Sequence, residues 1–185
     1  MARPTAASPH VLDPATRRLI LLLPAAFLAH DLGELAGNDE LNRAARDLTR
    51  RVPVLAERAL PHFTTSRAQA TVAIGALAAG VTVLSWRAAR STPPRSPTMT
   101  AYAAVTLLLG AHILPHTAQA IALRRVPPGL AGGLTIALPY SVLMVRRLVR
   151  HGLVDPGALA RAMAVGAVLL LPAVLGVRAL GRAVA

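Results

Sequence analysis

The chain reads as an all-α integral membrane bundle of about five transmembrane helices plus one interfacial amphipathic helix, and three observations predict this class. Hydrophobic residues make up 54% of only 185 positions, with a mean hydropathy of +0.52. That is more apolar surface than one small core can hide, so membrane lipid is the missing partner. The apolar residues are gathered into runs of spanning length, separated by short linkers rich in Pro and Arg. Finally, arginines stand in pairs beside those runs, at Arg17-Arg18, Arg50-Arg51, Arg124-Arg125 and Arg146-Arg147, where guanidinium groups anchor helix ends among anionic headgroups. The length fits a single membrane domain over residues 1–185.

Residues 1–16 form a polar, Pro-broken tail. Arg17-Arg18 then leads into Leu19–Ala36, which runs on through His30-Asp31 without a small-residue cleavage site, so it reads as a retained first span and not as a signal peptide. Residues 38–67 are the charged stretch. Leu41, Ala45, Leu48, Val52 and Leu55 recur there at helical spacing opposite Arg and Asp, the pattern of a helix lying in the interface over about 38–60 and bent at Pro53. Four more apolar segments follow at 68–86, 101–123, 130–145 and 158–177; the 130–145 run is short and needs flanking residues to cross. The linkers STPPRSPT (91–98) and RRVPPG (124–129) are too short for extra structure, which makes neighbouring spans antiparallel. The arginines divide evenly between the two sides, so the positive-inside rule sets no orientation.

Composition also excludes classes. There is no cysteine, hence no disulfide framework, thiolate metal site or Cys nucleophile. The net charge of +12 is carried by arginines at helix ends, and aromatic residues are only 3%, too few to stack on bases, so nucleic acid is not the expected partner.

Two clusters of ionisable residues lie inside spans, where each costs about 2.5–3.5 kcal/mol at the helix centre and therefore calls for a partner or a purpose. His30-Asp31-Leu32-Gly33-Glu34 ends the first span, and His112-Ile113-Leu114-Pro115-His116 lies within the third. Residues four apart share a helix face, so His30 with Glu34, and His112 with His116, can each point at one place. Two such faces meeting would offer three imidazoles and a carboxylate, a set suited to a divalent metal such as Zn, Fe, Mn or Mg. Asp31 and Glu34 are the candidates for proton transfer. Gln119 and Asn38 continue the two faces, and Tyr140 follows Pro139 in the fourth span; these three are candidate cofactor or substrate contacts.

Three blocks, PAAFLAHDLGEL (24–35), FTTSRAQATVAIG (63–75) and the long run from His112 to Arg147, together resemble the HXXEE-domain family of bacterial integral membrane proteins. The resemblance covers Leu21 to about Leu148. It implies a protein that crosses the cell membrane several times and carries a metal-dependent enzyme site. One departure stands out: the motif reads His-x-x-Gly-Glu here, with Gly33 where the family has its first glutamate. A second metal bound through that glutamate would lose a ligand, and Asp31, beside His30 and about 100° around the helix from it, is a possible substitute given enough side-chain reach.

The expected function is thus a metal-dependent membrane enzyme acting on a hydrophobic, lipid or isoprenoid-like molecule, with His30, Glu34, His112 and His116 as metal ligands. Hydrolysis and isomerisation or cyclisation rank ahead of oxidation, which in membrane desaturases uses many more histidines. The alternative is a non-enzymatic membrane protein: a small transporter, a proton path or an accessory subunit.

Overall fold

The computed structural model describes residues 12–51, 64–91 and 94–184, and every regular element among them is helical. Four of the helices start at a side-chain cap. Asp13 accepts the backbone N–H of Thr16 (2.9 Å) ahead of Pro14, opening α1 (Pro14–Leu21), which continues as α2 (Leu23–Ala36). The amphipathic α3 (Asn38–Arg51) follows, as the charge pattern predicts; the expected continuation to about residue 60 and the bend at Pro53 lie outside the described residues. Ser66 and Gln69 form a reciprocal capping box, with both bonds at 3.1 Å, at the start of α4 (Arg67–Ala89). Ser96 followed by Pro97 opens α5 (Pro97–Ala111), which passes through His112 into α6 (Ile113–Leu123). A short turn α7 (Leu130–Gly132), a π-helical stretch Gly133–Ala137 and α8 (Leu138–Arg150) make the next crossing, and α9 (Pro156–Val184) closes the chain behind the Asp155 cap.

Four crossings are long and apolar enough to span a membrane: Pro14–Ala36, Arg67–Ala89, Pro97–Leu123 and Leu130–Arg150; α9 contributes a further apolar helix over Pro156–Leu169. The chain is a multi-pass membrane protein by this measure. The first span begins five residues before the expected Leu19, because the Asp13-Pro14 cap draws Arg17 and Arg18 into the helix. The fourth reaches spanning length by borrowing Arg146 to Arg150.

Contacts at the ends fix the up-and-down order. At one end Arg147 bonds Asp13 (3.0 Å) and Thr16 (2.6 Å), and the Arg95 amide donates to Leu153 O (2.9 Å). At the other, Asn38 and Asn42 hold the backbone of Thr65, and Arg125 pairs with Asp47 at 3.1 Å. The apolar core fills the Asp13 end, where Ile20, Met99, Tyr102, Met144 and Leu148 are buried together. Helix α5 is central, packed by α4, α8 and α9; α1 and α2 lie on α4, and α2 also touches the π stretch.

Three prolines break three spans, and the breaks shape the far end. Pro24 has no N–H for the Ile20 carbonyl, and the helix turns at Leu22. Pro115 leaves the Ala111 carbonyl without its usual donor just where His112 separates α5 from α6. Ahead of Pro139 the backbone widens into the π stretch, which places Gly132 and Gly133 beside His30.

Candidate metal site

The half of the bundle away from the apolar core holds the two ionisable clusters. The backbone twist of α2 aims His30 and Glu34 the same way, and α6 does the same for His112 and His116 across the Pro115 break. Glu34 Oε1 is the centre of the group: it lies 2.6 Å from His116 Nε2, 3.1 Å from His112 Nε2 and 3.5 Å from His30 Nε2. The three rings stand edge to face, with centroids 5.0 to 5.6 Å apart. One donor atom from each residue lies within 4.8 Å of all the others, so His30, Glu34, His112 and His116 can hold a metal ion.

Two observations test whether these residues fit a cation. Donors around zinc at about 2.0–2.1 Å in a tetrahedron are about 3.3 Å apart, and the distances to Glu34 Oε1 bracket that spacing. In addition, His30 is wholly buried, yet neither ring nitrogen has a hydrogen-bond partner of ordinary geometry, and His116 Nδ1 likewise has none. Buried polar atoms of native proteins are nearly always satisfied. An ion at the centre would take the His30 Nε2 lone pair, so the donor set fits.

The chain closes over this group by means of glycines. Gly129 has φ +88°, a conformation L side chains rarely adopt, and a Cβ there would stand 2.8 Å from His116 Cε1 and 2.9 Å from Glu34 Cγ. Gly37 leaves room for Pro128, and Gly133 for Ile113 and the His30 ring. None of these glycines was singled out from sequence; the Pro127-Pro128-Gly129 turn was the available signal, since such a tripeptide demands an unusual backbone. The distant contacts it serves carry no local mark.

The other predicted residues divide. Asp31 is buried beside the group, its Oδ1 3.9 Å from His30 Nε2, outside the set of four. Gln119, one turn beyond His116, has a buried Oε1 with no partner. Asn38 is not brought to the group: its amide donates to Thr65 O (3.0 Å) and helps moor α3 to the head of α4. Tyr140 also lies elsewhere. Its hydroxyl donates to Leu19 O (2.8 Å) and meets that of Tyr102 (2.7 Å), serving the carbonyls exposed by the turn before Pro24. Gly33, in the place of the motif's first glutamate, faces open space, with nothing within 4 Å of a built Cβ. Spans one and three meet through these side chains, while α2 packs its backbone on α4 and the π stretch.

Compared with known proteins, residues 21–144 match the family model described as "Protein of unknown function with HXXEE motif". No curated protein and no solved structure matches.

Proposed function

We propose that this chain, which belongs to the family of proteins of unknown function with the HXXEE motif, is a metal-dependent membrane enzyme acting on a hydrophobic, lipid- or isoprenoid-like substrate. The observation that carries the reading is the convergence of three imidazoles and one carboxylate, from two apolar spans, on a single point. Such groups are expensive inside a membrane and are kept there for function. A divalent cation held by His30, Glu34, His112 and His116 would supply Lewis-acid polarisation of a substrate oxygen or a bound water acidic enough to react near neutral pH. The chain's own part is to orient and to move protons. Gly129, lacking a Cβ, lets the turn lie close against His116 and Glu34, and Gly133 lets the π stretch lie close against His30. Asp31, close to His30 but outside the donor set, would take a proton and return it. Hydrolysis and isomerisation or cyclisation suit this inventory.

A second reading has its own support. Glu34 Oε1 is within hydrogen-bond reach of two imidazoles at once, which also suits a proton path in a non-enzymatic membrane protein. Metal content separates the two. In protein purified in detergent with zinc, iron and manganese supplied, His30→Ala, Glu34→Ala, His112→Ala and His116→Ala should each lose most of the bound metal, while Asp31→Asn keeps it. A metal-free wild type would favour the proton path.

A further inference from the structure

The four residues are unevenly covered, and the most exposed of them, His112, sits near the middle of its span. At 1.5 Å per residue, His112 lies within about 3 Å of the middle of Pro97–Leu123, and His116 about 9 Å from it; in Pro14–Ala36, His30 is about 8 Å and Glu34 about 14 Å from the middle, toward the same end. The hydrocarbon half-thickness is about 15 Å, so all four lie inside it, and with Glu34 Oε1 3.1 Å from His112 Nε2 their ligating atoms share one depth. Yet the His112 side chain is 44% exposed, against 20% for Glu34, 6% for His116 and 0% for His30. The water-side end is stopped by the Pro127–Gly129 turn, whose Gly129 touches both His116 and Glu34, and by α3, which packs on α6. On the His112 face the neighbours one turn away are apolar: Leu108, half-buried, and Pro115, exposed.

We infer that the site is entered from the hydrocarbon, beside His112, and that its substrate is a membrane-dissolved lipid with an uncharged oxygen head: a long-chain alcohol, aldehyde, ester or quinone. This rests on the enzyme reading above for the word substrate, but the route of entry does not. The choice of an uncharged head follows from depth. A phosphorylated head would have to leave the headgroup layer and cross hydrocarbon before reaching the cation proposed for the site, and an ionised group in hydrocarbon is costly. Among the described residues no arginine bonds to the group; Arg125, at the end of the span, is paired with Asp47.

The absence of cysteine makes the test direct. A nitroxide is attached to His112→Cys in lipid nanodiscs, with Val126→Cys in the end loop and Val168→Cys on α9 as references, and collision with oxygen is compared with collision with a water-soluble nickel chelate. The label at 112 should resemble that at 168, accessible to oxygen and shielded from nickel; resemblance to 126 overturns the route. Circular dichroism checks that each variant is folded, and a Gly129→Ser nickel measurement at 112 adds a second readout, since disturbing the turn should admit nickel if the turn is the plug. A polyprenol added to the nanodiscs should immobilise the label at 112, and its diphosphate should not. A label indifferent to the alcohol, or immobilised by the diphosphate instead, overturns the substrate class. None of these readings needs bound metal or turnover, so a metal-free protein with a hydrocarbon-facing label would retire the enzyme reading and leave the route standing.

Discussion

Gly129→Ala isolates the contribution of the turn to the metal site. The new methyl meets two penalties. At φ +88° an L residue is strained by about 1–2 kcal/mol, and the Cβ would stand 2.8 Å from His116 Cε1, 2.9 Å from Glu34 Cγ and 3.0 Å from Glu34 Oε1. Those atoms belong to residues held by the group itself, so the turn or the ligands must shift by several tenths of an ångström, an overpacking that costs about 1–3 kcal/mol. The sum is about 2–5 kcal/mol, shared between fold and site. If half falls on the ligands, about 1–2.5 kcal/mol, metal affinity drops about 5- to 70-fold, overlapping the range of about 10- to 100-fold seen when groups supporting a metal site are changed. Thermal melting in detergent and chelator competition measure the two parts. Gly80→Ala is the control, because nothing lies within 4 Å of its Cβ and a mid-helix Gly→Ala change gains up to about 1 kcal/mol. Equal melting temperatures and equal metal affinity in Gly129→Ala and wild type would refute the role of the turn.

Three further outcomes follow from the same contacts. Tyr140→Phe strips a donor from Leu19 O and the partner of the Tyr102 hydroxyl, so it should destabilise by about 1–3 kcal/mol in thermal melts and leave metal content unchanged. Gly33→Glu places its carboxylate in open space, so metal stoichiometry should stay as in wild type while the melting temperature falls; a second equivalent of metal by elemental analysis would show that Gly33 marks a lost ligand. Asp13, outside the spans, is held down from 3.8 to about 2 chiefly by the Thr16 hydroxyl and backbone N–H, with Arg147 adding to it. A depressed carboxylate stabilises fully above its unfolded value and loses that contribution as pH falls through its folded one, so wild type should lose its melting advantage over Asp13→Asn between about pH 4 and pH 2.

The parts of the molecule governed by local pattern were legible in the sequence. Hydropathy located the spans because lipid-facing surface must be apolar over a fixed length, and the i, i+4 pairs located His30, Glu34, His112 and His116 because helix geometry alone puts each pair on one face. What the sequence left hidden depended on partners far along the chain. Tyr140 looked like a site residue, but its hydroxyl answers the Leu19 carbonyl exposed near Pro24, a contact across 121 positions. Asn38 continues the His30 face, yet the chain turns at Gly37 and hands its amide to Thr65. The π stretch at Gly133–Ala137 follows from fitting Pro139 into a packed span and bringing two glycines against His30, a tertiary demand that the run GGLTIALP does not announce. For the same reason nothing in the linker RRVPPG marks Gly129 as a neighbour of the site.

The central claim is that three imidazoles and Glu34 share one cation, and X-ray absorption at the metal edge of the loaded, detergent-purified protein tests it most directly. The account predicts about one ion per chain, with three imidazole nitrogens and one carboxylate oxygen at about 2.0–2.2 Å if the ion is zinc, and loss of one imidazole from the spectrum of His116→Ala. A shell of oxygen atoms without imidazole scattering, or no retained metal in wild type, would contradict it.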